Sequence, residues 1–94
     1  MSFFLNNNPD ITYFKIETSN YVTVVEHFTA TANQTLFTLT NTYEVGKNRL
    51  EVTVEGVPQY APKNYTETST NSITFAEGLP LGTEVTVVVT QIKQ

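Results

Sequence analysis

The chain predicts an all-β fold: a small antiparallel β-sandwich of six to seven strands, immunoglobulin-like or related, with an N-terminal arm. Three observations carry that expectation. Threonine, valine and aromatic residues recur throughout, and runs of alanine, leucine, lysine and glutamate that would build long helices are absent. Short stretches alternate apolar and polar residues with a period of two, the pattern of strands with one buried face. Turn signals separate these stretches at close intervals, as in a sandwich of hairpins and crossovers. Ninety-four residues make one domain near the small end of the usual range. A domain of that size buries only about 60% of its unfolded surface, so oligomerisation is one way to make up the shortfall.

Residues 1–20 differ from the rest and form the first expected segment; residues 21–94 form the sandwich. Phe3-Phe4-Leu5 is an apolar plug, and Asn6-Asn7-Asn8-Pro9-Asp10 breaks any regular structure. Ile11-Thr12-Tyr13-Phe14-Lys15-Ile16 has the composition of a short strand, closed by Thr18-Ser19-Asn20. Two roles fit: a frayed terminus that adds one strand to the sheet, or a docking arm. Exposed phenylalanines and leucine are costly in water, so Phe3, Phe4 and Leu5, with Ile11, Tyr13 and Phe14, are candidate interface residues.

Tyr21 to Phe28 is a strong strand, with Val22, Val24 and Glu26 on one face and Tyr21, Thr23, Val25 and His27 on the other. Apolar residues on both faces point to cover on two sides or to packing at a subunit interface. Thr29 to Asn33 is a small polar loop, and Gln34 to Leu39 the next strand, with Phe37 and Leu39 as core residues. A long connection, Thr40 to Asn48, closes on Gly46 and Asn48, both suited to turns. Arg49 to Glu55 then alternates strictly: Leu50, Val52 and Val54 face inward, Glu51, Thr53 and Glu55 outward. Glu55-Gly56 predicts a tight hairpin turn, because glycine tolerates positive φ. Val57-Pro58 resumes as an edge strand, since proline has no amide for a central ladder.

A second proline-marked stretch, Gln59 to Asn64, precedes a strand at Tyr65-Thr66-Glu67-Thr68 and a turn at Ser69 to Ser72. Ile73-Thr74-Phe75 should bury Ile73 and Phe75. Glu77 to Gly82 reads as a loop pinned by Leu79 or Leu81. Thr83 to Ile92 is the last strand, with Val85, Val87 and Val89 on the core face. Val87-Val88-Val89 is uncharged, β-prone and free of proline, so it should be central or covered by a neighbouring subunit.

The net charge of −4 rests on nine acidic and five scattered basic residues, with no footprint for nucleic acid or an anionic membrane. With no cysteine, neither a disulfide framework nor a thiolate metal site can form. The terminus lacks the basic segment of a secretory signal, and no apolar run reaches membrane-spanning length.

Catalytic chemistry finds little support. His27 is the single histidine and fits a satisfied residue in a strand better than a catalytic base or zinc ligand. Glu51 and Glu55 share the solvent face of one strand, whereas glycosidases need two carboxylates facing across a cleft. Asp10 with Asn6, Asn7 and Asn8 lacks the spacing of a calcium loop. Asn33-Gln34-Thr35 and Asn64-Tyr65-Thr66 match a glycosylation sequon, which means little without a secretory signal. No enzyme, metal or cofactor is expected. Tyr60 and Tyr65, flanking Pro62-Lys63-Asn64, are the candidate platform for a sugar or a partner.

Several segments taken together resemble a recurrent β-module of tailed bacteriophages, found in tail fibres, neck appendages, head fibres and related virion proteins. They are Phe28 to Leu39 with Asn33-Gln34-Thr35, Asn48 to Gln59 ending in Val54-Glu55-Gly56-Val57-Pro58-Gln59, Asn64 to Thr68, Ser72 to Phe75, and Leu81-Gly82-Thr83-Glu84-Val85. The chain departs from the family pattern in two places: Asn33 stands where glycine is usual, and Thr83 follows Gly82 as an insertion. Neither disturbs the alternation. The resemblance spans roughly residues 27–91. It implies a connector or attachment module, often trimeric, in a virion. One module with a short arm resembles a small decoration, collar or adaptor protein, its partners being capsid, neck or tail proteins and further copies of itself. The alternative is a carbohydrate-binding or adhesive module using the loop tyrosines, and a fragment of a longer fibre is a third reading.

Overall fold

A computed structural model of the chain describes residues 13–17 and 20–92. It is all-β and antiparallel, a two-sheet sandwich of eight strands among those residues. They are β1 (Tyr13–Glu17), β2 (Tyr21–Thr29), β3 (Gln34–Thr38), β4 (Leu50–Val54), β5 (Val57–Gln59), β6 (Tyr65–Ser69), β7 (Ser72–Leu79) and β8 (Glu84–Ile92). One sheet has the order β1-β2-β8-β4-β5 and the other β3-β7-β6. Seven strands lie within residues 21–92. The eighth, β1, adds to the edge of the larger sheet by pairing with β2, Tyr13 opposite Glu26 and Phe14 opposite Val25.

The valine-rich last strand is central, as its composition requires. All nine residues of β8 pair with β2 on one side, and Leu50 to Val54 pair with it on the other. Val85, Val87 and Val89 are fully buried, and Leu50 and Val52 face the same interior. The smaller sheet contributes Phe37, Tyr65, Ile73 and Phe75 to that core. Three aromatic rings knit it together: Phe37 meets Phe28 edge-on at 5.6 Å and Phe75 at 5.4 Å between centroids. Edge-to-face pairs of this kind add roughly 0.5–1.5 kcal/mol each beyond the area they bury.

The β4–β5 reversal is the tight turn that the sequence predicts. Glu55 and Gly56 have φ of 50° and 82°, and Val54 pairs with Val57. Positive φ at both central residues matches the right-handed twist of the flanking strands. Glu55 also ties the turn to its neighbour: its N–H donates to the Glu84 carbonyl, and its Oε2 accepts from the Glu84 N–H. Asn33 closes the β2–β3 crossover at φ 60°, a conformation asparagine tolerates better than most side chains.

One expectation is corrected. Glu77-Gly78-Leu79 is not loop; β7 continues through it to Leu79. The strand persists because Gly78 has no side chain: a Cβ there would sit 2.9 Å from the Asn33 carbonyl oxygen. Gln34 pairs with Leu79 and Leu36 with Thr74, so the close approach coincides with a register shift whose extra residues lie in β7. Of the two leucines expected to pin the following loop, Leu79 packs on the core and Leu81 is exposed.

Candidate functional site

The larger sheet outreaches the smaller one, and this mismatch creates a concavity. Beyond β6 the three-stranded sheet ends, while β4 and β5 continue opposite. Val57 shows the consequence. It pairs with the inward-facing Val54, yet is 58% exposed because nothing in the smaller sheet covers it. The slot between β6 and the β4–β5 hairpin has a volume of about 420 Å³, with Leu50, Val52 and Tyr65 as its apolar floor. Tyr60, Gln59 and Glu67 stand around its mouth. A second concavity of about 330 Å³ adjoins it through Asn48, Ala61 and Glu67 and reaches Val45 and Pro62.

The candidate tyrosines occupy different places in this slot. Tyr60 exposes 64% of its surface, whereas Tyr65 is 4% exposed and packs against Phe75 at 6.1 Å between ring centroids. They do not form one stacking face; one is a rim and the other a floor. Local hydrogen bonds fix the rim: the Tyr60 N–H donates to Asn64 Oδ1 and the Asn64 N–H to the Tyr60 carbonyl. The Asn64 side chain of the second sequon is therefore engaged in this turn.

The β3–β4 connection, which brings Asn48 to the slot, is anchored to both sheets. Glu26 of β2 is 5% exposed, and its carboxylate accepts three hydrogen bonds from the β3–β4 connection. Oε1 accepts from the Thr40 N–H at 2.8 Å, and Oε2 from the Asn41 N–H at 2.9 Å and the Asn41 Nδ2 at 2.7 Å. Further along, the Tyr43 N–H donates to the Thr70 carbonyl and the Tyr43 hydroxyl to the Ser72 carbonyl at 2.8 Å. The Gly46 N–H donates to Glu67 Oε1 at 2.7 Å. Alternation along β2 places Glu26 on the face of Val22 and Val24; neither that this face is the inward one nor its partners, 14 and 15 residues away, were legible.

Burial pushes the Tyr43 phenol up to about 12, with the nearby Glu67 carboxylate and Tyr65 acting in the same direction. Burial, then Glu67, also raises Tyr65. Both are shifts toward the neutral form, so their contribution to stability is complete below the ordinary phenol value near 10. It is lost as pH rises from there through the folded value. We expect unfolding free energy, followed by urea titration, to fall between about pH 10 and pH 12. Tyr43→Phe should flatten that decline, while costing roughly 1 kcal/mol at neutral pH for the lost bond to Ser72.

The remaining candidates stay apart. His27 is exposed, with Nδ1 3.2 Å from Thr86 Oγ1. Among the described residues no three histidine, aspartate or glutamate side chains gather where a metal could bind. No helix of the described residues is long and apolar enough to cross a membrane. Phe3, Phe4, Leu5 and Ile11, with Asp10 and its neighbouring asparagines, lie outside the described residues; Tyr13 and Phe14 lie in β1. Comparison with protein-family models, curated proteins and solved structures finds no match for the chain.

Proposed function

We propose that this chain is a non-enzymatic structural component of a tailed-bacteriophage virion: a fibre, collar, adaptor or decoration protein. It attaches through residues 1–20 and assembles as an oligomer, a trimer being the form the resemblance favours. Its partners are capsid, neck or tail proteins. The observation that supports this reading is where the resembling residues fall. Asn33, Glu55-Gly56 and Gly82 all take positive φ, and Phe37, Val52, Ile73, Phe75 and Val85 are core. The shared pattern thus specifies an architecture through turns and packing, and in that family the architecture serves connection and attachment. Mass spectrometry of purified particles from the phage that encodes the chain is the test. We expect it in fixed stoichiometry with the capsid, neck or tail proteins; its presence only in the lysate would overturn the proposal.

A carbohydrate-binding role is the second reading, favoured by the exposed Tyr60 ring at the mouth of a concavity. Binding on a glycan array that Tyr60→Ala abolishes would support it, and no binding to any glycan would count against it.

A further inference from the structure

The slot beside β6 has the features of a receptor for an extended segment. The Ala76 N–H donates to the Asn64 carbonyl, so β6 turns alternate residues toward β7. Tyr65 and Glu67, of the other parity, present their backbone N–H and C=O groups to the slot. Among the described residues no strand pairs on that side of β6. An edge strand beside an open slot invites strand addition, in which main-chain bonds give affinity and alternate side chains fill pockets. The exposed Tyr60 lies along the slot, and the exposed Val45 along the concavity that adjoins it.

We infer that this slot is the receptor for Phe3-Phe4-Leu5 of a neighbouring copy, which lies along the free edge of β6. The inference rests on the oligomer and docking arm proposed above and names where that arm binds between copies. Composition, reach and direction support it. Phe3-Phe4-Leu5 is uncharged and apolar, and the exposed Val45 and Tyr60 beside the slot can cover it. The twelve residues before Tyr13 can span up to about 40 Å when extended.

The arm and the slot lie on opposite edges of the larger sheet. Across the larger sheet one row runs Tyr13, Glu26, Val87, Val52, Gln59, so β1 starts level with the slot but on the far edge. Four strand spacings put about 19 Å between β1 and β5. An arm leaving one edge and a slot on the other form a donor and an acceptor on opposite sides. That head-to-tail arrangement closes into a ring when the rotation between copies allows. Symmetric pairing of two β6 edges is the weaker alternative, because it brings the Glu67 carboxylates of both copies to one rim.

The lack of cysteine allows a clean test. Full-length chain carrying Ser2→Cys with a nitroxide label, unlabelled in nitrogen, is mixed with ¹⁵N-labelled chain. We expect intermolecular broadening of the Tyr60, Tyr65 and Glu67 amides, and a light-scattering mass of more than one chain. Tyr60→Glu, which alters an exposed residue, should weaken self-association by at least about tenfold with circular dichroism unchanged, as for loss of an aromatic anchor. Phe3→Ser with Phe4→Ser should do the same. A monomer at millimolar concentration, no intermolecular broadening of these amides, or broadening confined to other edges would overturn the inference. Particle mass spectrometry is independent of these readouts, so the virion reading and the slot assignment fail separately.

Discussion

Phe37→Ala should lower unfolding free energy by about 3–5 kcal/mol, the range for removing a buried phenylalanine. The position has little room to recover. Phe37 is 1% exposed and sits between Phe28 and Phe75, touching both edge-on, so truncation opens a hole walled by two rings that are themselves held in place. It is also the one buried residue within β3, which pairs only with β7. Losing it therefore loosens the attachment of a whole edge strand. A 94-residue domain has roughly 5–14 kcal/mol in total. The variant consequently approaches the limit of folding. Urea unfolding at 25 °C, with Leu36→Ala as control, is the measurement. Leu36 precedes Phe37 on the opposite face and is half exposed, so its removal should stay within about 0.5 kcal/mol. Similar costs at the two positions would mean that the inward direction of β3 is wrong.

Much of this core was visible in the order of residues, for a simple reason. Alternation has a period of two, and a strand with one buried face must express it. Leu50, Val52, Ile73, Phe75, Val85, Val87 and Val89 all follow from that rule, and all are buried. The Glu55-Gly56 turn was equally legible, because few dipeptides accept positive φ twice. The end of β7 was not. Gly78 carries the local signature of a loop, and its place in a strand follows from a close approach to Asn33, 45 residues earlier.

The candidate site was less legible than the core. Tyr60 and Tyr65 were both found from the sequence, but their separation into rim and floor depends on where β6 sits against β4, which no local pattern encodes. The slot itself arises from a count of strands, five in one sheet against three in the other. Such a mismatch is a property of how the sheets stack. In the sequence Tyr43 reads as part of a connection; it lies buried there, its hydroxyl donating to the Ser72 carbonyl at the start of β7.

The β3–β4 connection has its own anchor, and the second large effect is expected there. Glu26→Ala should cost about 3 kcal/mol, less than the sum of three charge-assisted bonds because the interactions are not additive. The expense is not mainly the lost attraction. Truncation leaves the Thr40 and Asn41 N–H groups facing a partly buried space where the carboxylate had satisfied them. Glu26→Gln separates the two causes. It keeps the volume and one acceptor oxygen, but turns an amide N–H₂ toward groups that can only donate, so it should fall between wild type and alanine. If burial of the side chain's carbons were what mattered, glutamine would match wild type. Hydrogen exchange locates the damage, since loss of the clamp should raise exchange at Thr40 and Asn41 more than at Val87 in the central strand. The effect should also travel along the connection. Thr42 accepts from Gln91 Nε2, and Gly46 donates to Glu67, so release at Glu26 leaves fewer fixed points to hold Val45 and Asn48 beside the slot. A Glu26→Ala protein that unfolds within 1 kcal/mol of wild type, with unchanged exchange at Thr40, would show that the connection is held by its other contacts. The carboxylate would then be a passenger in the core rather than its clamp.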